Sequence, residues 1–295
     1  MAPVKRTCDD FPVSGEPIRG IHHPGPTARG AGNAPYTGAA TTFDTAAEQY
    51  ERARPGYPGA LFDDLATMLP AGHARVLEIG PGTGQATRGL LRRGWRVVAL
   101  EPGAELARVA RRVLAGRGEV DVVGTPFERW EGEPASFDLV LAATSWHWLD
   151  QEVAYARAGR LLRPGGVLAI VATQHVLPAD GDPFFREVEA AYEAVGMSDG
   201  LGGPAPPDAV PPPDVAAMEA AHGFGTPVVH RYVVAHTYSA DAYLEVLGTY
   251  SGHIAATPAQ REALFRDIRA RIEARPSGTV RKHYLHQLQA ARRLG

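Results

Sequence analysis

The sequence predicts an α/β protein built on a doubly wound, mostly parallel sheet, and three observations carry that reading. Short apolar strands alternate with amphipathic helices between residues 74 and 173. Three glycines crowd the turn after the first of those strands, in "VLEIGPGTGQAT", residues 76 to 87. The second strand then ends on an acid, Glu101. Apolar strands interleaved with helices belong to a parallel sheet covered on both faces. A glycine-rich turn that opens a helix lets the backbone come close to a nucleotide-like ligand.

Taken in order, residues 1 to about 40 are rich in Gly, Pro and small polar residues without periodicity, and read as a disordered tail. His22 and His23 in that tail read as solvated side chains rather than metal ligands, and no metal site is expected. Phe43, Ala47 and Tyr50 fall at helical spacing before "RPGYP" breaks the helix, and a second helix runs from about Gly59 to Met68. "ARVLEI", "WRVVALE", "VDVVG", "FDLVLAA" and "VLAIVAT" are the strands of the alternating region. "GQATRGLLRRG", "AELARVARRVLAG" and "QEVAYARAGRLLRPGG" are its helices, the last stopped by Pro-Gly-Gly. After Thr173 the rhythm changes. "DPFFREVEAAYEAVG", "AYLEVLGTYSGH" and "AQREALFRDIRARIEA" look helical, "PVVHRYVVAHTYS" alternates as a strand, and "VRKHYLHQLQAARR" is mixed but strand-capable. Such appended material suits a cap over a substrate.

Composition narrows the class. The 295 residues are 44% apolar and 21% charged, ordinary for a soluble domain, and the net charge of −3 argues against a dedicated nucleic-acid binder. The single cysteine, Cys8, rules out an internal disulfide and a cysteine metal site. No apolar run approaches the roughly 18 residues of a membrane span. "MAPVKRTCDDFPVSGEP" has no apolar signal core, so the cytoplasm is the expected compartment. Oligomeric state is left open.

The glycine turn discriminates between ligands. A dinucleotide fingerprint, G-x-G-x-x-G, would need its third glycine at position 85, which is Gln85. Gly80, Gly82 and Gly84 instead make G-x-G-x-G, preceded two residues earlier by Glu78. Glu101 can accept both hydroxyls of a ribose, a task shared by NAD and S-adenosylmethionine sites. Glu78 is poorly placed beside a pyrophosphate and well suited to a zwitterionic sulfonium ligand. The bland alternative is a tight packing turn.

Together "VLEIGPGTGQAT", "LEP", "FDLVLAATSWHWLD" and "RLLRPGGVLAI" resemble the motifs of class I S-adenosylmethionine-dependent methyltransferases. "YERARPGYP", "TYSGH" and "VRKHYLHQLQAARR" narrow the likeness to the small-molecule branch that includes type 11 and trans-aconitate methyltransferase-like members. The resemblance implies a Rossmann-like, seven-stranded, mostly parallel sheet with C-terminal antiparallel strands and a helical cap. The methyltransferase domain would run over 41–295, with the cap at about 174–278. It implies S-adenosyl-L-methionine as cofactor, with Glu78, Gly80, Gly82 and Gly84 holding the methionine part and Glu101 the ribose. Pro102 and Ala104 would flank ribose and adenine, Phe127 and Glu128 would sit near the adenine, and Ala143 and Thr144 would line the methionine side. Thr125-Pro126 stands where many relatives carry an Asp. Tyr50 and Arg54 would close over the cofactor's carboxylate, the alternative for Tyr50 being packing on the sheet.

Methyl transfer from a sulfonium is an in-line displacement that depends chiefly on alignment, and a base is needed only for a protonated nucleophile. No clustered Asp/Asn set suggests catechol chemistry with Mg²⁺, and no Asn-Pro-Pro-Tyr follows the fourth strand. "TSWHWLD" stands there instead. His147 reads as a general base or hydrogen-bond partner of the acceptor, or as a helix-entry residue packed between Trp146 and Trp148, themselves candidate substrate contacts. In the cap, Tyr250, Ser251 and His253 could orient a polar acceptor. Arg108, Arg111 and Arg112 read as a solvated helix face. The expected function is methylation of a small-molecule acceptor on O, N or C, of the kind secondary metabolism uses. The alternatives are a non-methylating S-adenosylmethionine binder (a cyclase or regulator) and, less favoured by Gln85 and Glu78, an NAD-dependent oxidoreductase.

Overall fold

The computed structural model describes residues 46–295, so the expected tail, His22, His23 and Phe43 lie outside the described residues. Helices α1 (Ala47–Ala53) and α2 (Gly59–Met68) come first, divided at the "RPGYP" break. Seven strands follow: β1 (Arg75–Ile79), β2 (Arg96–Leu100), β3 (Val120–Val123), β4 (Phe137–Ala143), β5 (Leu162–Val176), β6 (Val228–Ser239) and β7 (Thr279–Arg292). They form one sheet in the order β3-β2-β1-β4-β5-β7-β6. The pairings among β1 to β5 are parallel, and β7 runs antiparallel to both β5 and β6. The strand order reverses between β1 and β4, and such a switch point opens a crevice at the carboxyl ends of the strands.

Side-chain alternation along the strands sorts the core onto two faces. Val76, Val97, Ala99, Leu139 and Leu141 pack against α2, α3 (Thr87–Leu91) and α4 (Ala104–Leu114) through Leu61, Phe62, Leu65, Leu90, Ala107 and Leu114. Leu77, Ile79, Val140 and Leu168 pack on the other face against α5 (Gln151–Leu161), with Tyr155, Ala158 and Leu161. The cap has a third cluster. There Phe184 and Phe185 of α6 (Phe184–Glu187) meet Tyr243 and Leu247 of α9 (Ala240–Leu247), and Leu264 and Ile268 of α11 (Pro258–Glu273). Three shorter cap helices complete the chain: α7 (Glu189–Ala194), α8 (Val215–Ala220) and α10 (Ser251–Ala255).

Several boundaries differ from the sequence reading for local reasons. The third connecting helix stops at Leu161, and residues 162–166 already belong to β5. Pro164 restricts Arg163 to extended conformations, so the helix must end before the Pro-Gly-Gly that was expected to stop it. The helix expected over 242–253 breaks after Leu247 and resumes at Ser251, because Tyr250 is extended (φ −87°, ψ 136°). Arg108 and Arg112 are not merely solvated: they pair with Glu48 of α1, the shortest contact being 2.7 Å from Arg112. Arg111 donates to the Val122 carbonyl at 2.7 Å. These bonds dock α1 and β3 on α4.

The sheet is uneven in height. Pairing of β4 with β5 ends at Ala143 and Val171, whereas β5 continues to Val176 paired with His283 of β7. The β5–β7–β6 segment therefore stands as an antiparallel wall beyond the carboxyl ends of the parallel strands.

The contact between α2 and α3 gives a direct test of this packing. A Cβ added at Gly89 would overlap the ring of Phe62, which is fully buried. Overpacking of this kind costs about 1–3 kcal/mol. Gly89→Val should lower the urea midpoint accordingly, and adding Phe62→Leu should recover part of the loss. An unchanged midpoint would contradict the packing.

Candidate active site

The segments that leave β1 and β4 at their carboxyl ends flank the switch point, where a doubly wound sheet opens a crevice. The turn after β1 is built from glycines with positive φ: 64° at Gly80, 60° at Gly82 and 97° at Gly84. Side chains rarely adopt that region, and at Gly84 a Cβ would also press on Leu114 at 3.1 Å. At Gly82 the neighbour is Tyr50, whose Cε1 would lie 3.7 Å from an added Cβ. Tyr50 therefore sits against the turn.

Glu101 holds this turn to the next one. Its Oε2 accepts from the Gly82 amide and its Oε1 from the Gly103 amide, both at 2.9 Å. A carboxylate offers roughly four acceptor directions, more than two backbone donors use. Pro102 is half-buried and Ala104, at the start of α4, is exposed, so both flank the same turn.

Glu78 lies deeper, fully buried on the face shared with Val76, and neither of its oxygens has a hydrogen-bond partner among the described residues. Burial pushes its carboxyl up to about 7, with the nearby Glu101 charge adding to the rise and Thr87 opposing it. A buried carboxyl without a donor is costly. This orphaned acceptor at the head of a glycine turn is what a ligand carrying an ammonium or sulfonium group would satisfy.

Gln85 occupies the place of the third glycine and has a structural task. Its Nε2 reaches Thr83 Oγ1 at 2.8 Å and Glu51 Oε2 at 3.3 Å, while Thr83 donates to Glu51 at 2.7 Å and Arg88 pairs with Glu51. The network clamps α1 to the turn. Glu51, Thr83 and Arg88 were not singled out from the sequence; an acid on the same helix as Tyr50 was the available signal.

The turn after β4 carries strain. Thr144 has φ 58°, sparsely populated for a branched residue. Its amide donates to Val171 O at 2.8 Å and its hydroxyl lies 3.2 Å from that of Tyr57. Ala143 beside it is buried. Tyr57 packs at 5.4 Å on the ring of His286, which stands on the antiparallel wall with its Nδ1 3.0 Å from Thr173 Oγ1. Burial pushes the Tyr57 hydroxyl up and the His286 imidazole down to about 4. Both are neutral near pH 7.

The "WHW" residues separate. Trp146 is buried in the second core cluster, edge-on to Tyr155 at 5.0 Å, with its Nε1 donating to Gln151 at 2.9 Å. His147 is exposed on a 3₁₀ turn, its ring 4.6 Å from that of Trp148, which is 38% exposed. Phe127 is buried in the second cluster and Glu128 half-buried on the turn after β3.

The cap meets α1 through Arg54, whose Nε donates to Thr249 Oγ1 at 2.7 Å and whose Nη2 donates to Thr249 O at 3.1 Å. Its guanidinium lies over the rings of Tyr250 (4.2 Å) and Tyr50 (5.1 Å). Ser251 is half-buried at the start of α10, and His253 is buried with its Nε2 3.0 Å from the Tyr192 hydroxyl. Tyr192, Tyr243 and His253 line a cavity of about 260 Å³ together with His175 and Phe185, on the cap side of the wall. Among the described residues no group of three or more His, Cys, Asp or Glu could hold a metal, and no helix is long and apolar enough to cross a membrane.

Residues 77–170 match a protein family described as a methyltransferase domain. An uncharacterized methyltransferase of Mycobacterium tuberculosis is 42% identical over 130 residues, 44% of this chain and 51% of that protein. Another, from Geobacillus kaustophilus, is 29% identical over 163 residues, 52% of this chain and 70% of that protein. The chain thus spans about half the length of the mycobacterial relative. A solved structure from Anaeromyxobacter dehalogenans, provisionally described as a type II methyltransferase, is similar with a TM-score of 0.54 at 28% identity. That similarity covers 82% of this chain and 98% of the other.

Glu78 makes the site visible in stability measurements. Its carboxyl titrates at about 7 when folded against a reference of 4.5. The folded state then binds the extra proton between those values, so stability is highest below pH 4.5, falls through that window and levels off above 7. At 1.36 kcal/mol per unit the loss is roughly 3 kcal/mol for this fully buried group. Urea unfolding of the ligand-free protein should show that decline, and Glu78→Gln should abolish it. A wild-type profile matching that of the variant would place Glu78 in a solvated or bonded setting.

Proposed function

We propose that the protein, whose residues 77–170 match the methyltransferase domain family, transfers a methyl group from S-adenosylmethionine to a small-molecule acceptor. The observation that carries the proposal is the buried, partnerless carboxylate of Glu78 beside a glycine turn that Glu101 holds open. These residues fit the cofactor. Glu78 with the backbone of Gly80, Gly82 and Gly84 would take the methionine part, under Tyr50 and Arg54. Glu101 would take the ribose hydroxyls, with Pro102, Ala104, Phe127 and Glu128 toward the adenine and Ala143 and Thr144 toward the methionine.

When bound, the cofactor supplies a methyl group on an already activated sulfonium leaving group. What the chain must do is align the acceptor with that methyl and exclude water. Alignment of bound reactants accounts for most of the advantage in such a displacement. The β5–β7–β6 wall and the cap enclose the side of the crevice facing Tyr57 and Thr144, where an acceptor would sit. Gln85, locked to Glu51 where a dinucleotide site needs glycine, weighs against NAD.

Calorimetry with S-adenosylmethionine, S-adenosylhomocysteine and NAD tests the cofactor, and label transfer from methyl-labelled cofactor to a panel of phenols, amines and carboxylic acids tests the reaction. The adenosyl ligands should bind and NAD should not; the reverse would overturn the proposal. Glu101→Ala removes charged hydrogen bonds of about 1.5–3 kcal/mol each and frees the Gly82 and Gly103 amides. S-adenosylhomocysteine affinity should fall at least about tenfold, a factor worth 1.4 kcal/mol. Unchanged affinity would place the ribose elsewhere.

A further inference from the structure

Lys282 is one of only two lysines in the chain and lies at 0% exposure within β7, a position the sequence reading did not single out. Its Nζ donates to the Tyr250 hydroxyl at 3.0 Å. It also lies 5.0, 5.3 and 5.5 Å from the ring centroids of Tyr250, Tyr284 and Tyr243. Arg54 stands over the same Tyr250 ring at 4.2 Å and spends its own donors on Thr249. Among the described residues no carboxylate pairs with either cation. A buried ammonium needs a compensating charge, and the one oxygen that Lys282 reaches belongs to a phenol.

We infer that Tyr250 is the group that takes the proton from the methyl acceptor, held ready as a phenolate by Lys282 and Arg54. The inference rests on the methyl-transfer reading. In the step, a lone pair on the acceptor's oxygen or nitrogen forms the bond to the methyl carbon. The carbon–sulfur bond breaks with its electron pair passing to sulfur, and the acceptor's proton passes to Tyr250 Oη. No metal or further reactant enters the balance. A phenolate base is matched to acceptors that hold their proton about as tightly as a phenol does, which points to phenols and enols ahead of aliphatic alcohols.

Position and surroundings both suit this task. Arg54 also covers Tyr50, which sits on the Gly82 turn, so a single guanidinium separates Tyr250 from the wall of the cofactor crevice. The titratable and charged groups around Tyr250 are Arg54 of α1, Tyr192 of α7, Tyr238 of β6, Tyr243 of α9, His253 of α10, and Lys282 and Tyr284 of β7. Burial by itself would raise the Tyr250 hydroxyl, but Lys282 and Arg54 outweigh it and bring the group down to about 8. Burial raises Tyr192, Tyr238, Tyr243 and Tyr284. His253 is pushed down to about 4, first by burial and then by the same two cations, so it remains neutral. Burial also pushes Lys282 down, with Tyr250 opposing that shift, and Tyr250 is the first of these tyrosines to ionise.

The test is a phenolate absorbance titration of the full-length protein, with S-adenosylhomocysteine affinity measured on the same samples. Wild type should gain one phenolate with a midpoint near 8, and Tyr250→Phe should lack it. A neighbouring charge moves a pKa by about 1–3 units, so Lys282→Met should raise the midpoint by at least about one unit and Lys282→Arg should restore most of it. All three variants should still bind S-adenosylhomocysteine, which shows that they fold. With a phenol from the panel as acceptor, Tyr250→Phe should lower kcat by about 10²–10⁴-fold, the usual worth of a general base, and remove the rise in rate near pH 8. Retained S-adenosylhomocysteine binding without a phenolate near pH 8, or with a midpoint indifferent to Lys282→Met, would overturn the assignment and leave the methyl-transfer reading intact. Unchanged turnover in Tyr250→Phe would do the same. A wild-type protein that binds no adenosyl ligand would overturn both.

Discussion

The carboxylate of Glu101 spans two backbone turns, and the geometry of the crevice follows from that bridge. Gly82 and Gly103 belong to the segments leaving β1 and β2, and one side chain accepts an amide hydrogen bond from each. Strand pairing fixes where the bridge can form, since Gly80 N bonds Leu100 O and Glu101 N bonds Val123 O at the carboxyl edge. Without it the glycine turn would keep its freedom, because residues that tolerate positive φ do not select it. The parallel sheet supplies the edge, the glycines make the turn possible, and Glu101 selects one conformation of it.

Two sets of buried or half-buried ionisable groups then lie around the glycine turn and under the cap. Among the described residues Glu78 has no hydrogen-bond donor, and no carboxylate pairs with Arg54 or Lys282. In a finished core such groups would be paired with one another or absent. Here the Arg54 guanidinium lies over the rings of Tyr50 and Tyr250. The arrangement costs stability in the ligand-free chain. A bipolar ligand in that space would offset the cost.

Much of this was legible in sequence where residue chemistry and backbone geometry agree. The five parallel strands and α2 follow from apolar runs bounded by glycine and proline, and "GPGTG" marked the turn that Glu101 bonds. The Lys282 site was not legible, because β7 is buried on both faces and places Lys282, His283, His286, Gln287 and Gln289 where apolar residues would mark a strand. Polar residues on a core face make a strand look mixed. Conflict between pattern and structure of this kind is expected at functional sites. The roles of Gln85, Glu51 and the arginines of α4 escaped for another reason: their partners lie tens of residues away in sequence, so spacing carries no trace of them.

Helix α1 shows how closely the two halves of the crevice depend on one another. At seven residues it is too short to be stable alone, so its contacts must hold it. Successive residues step about 100° around a helix, and the chain uses each direction. Glu48 pairs with Arg108 and Arg112 of α4, and Glu51 clamps the glycine turn through Thr83, Gln85 and Arg88. Gln49 donates to Glu245 O in the cap at 2.9 Å, and Arg54, the residue that caps the helix, reaches Thr249. Loosening the turn would therefore loosen the cap through the same seven residues. The helix that clamps the glycine turn is the one that positions Arg54 over Tyr250, so the order of the turn and that of the cap are conditional on each other.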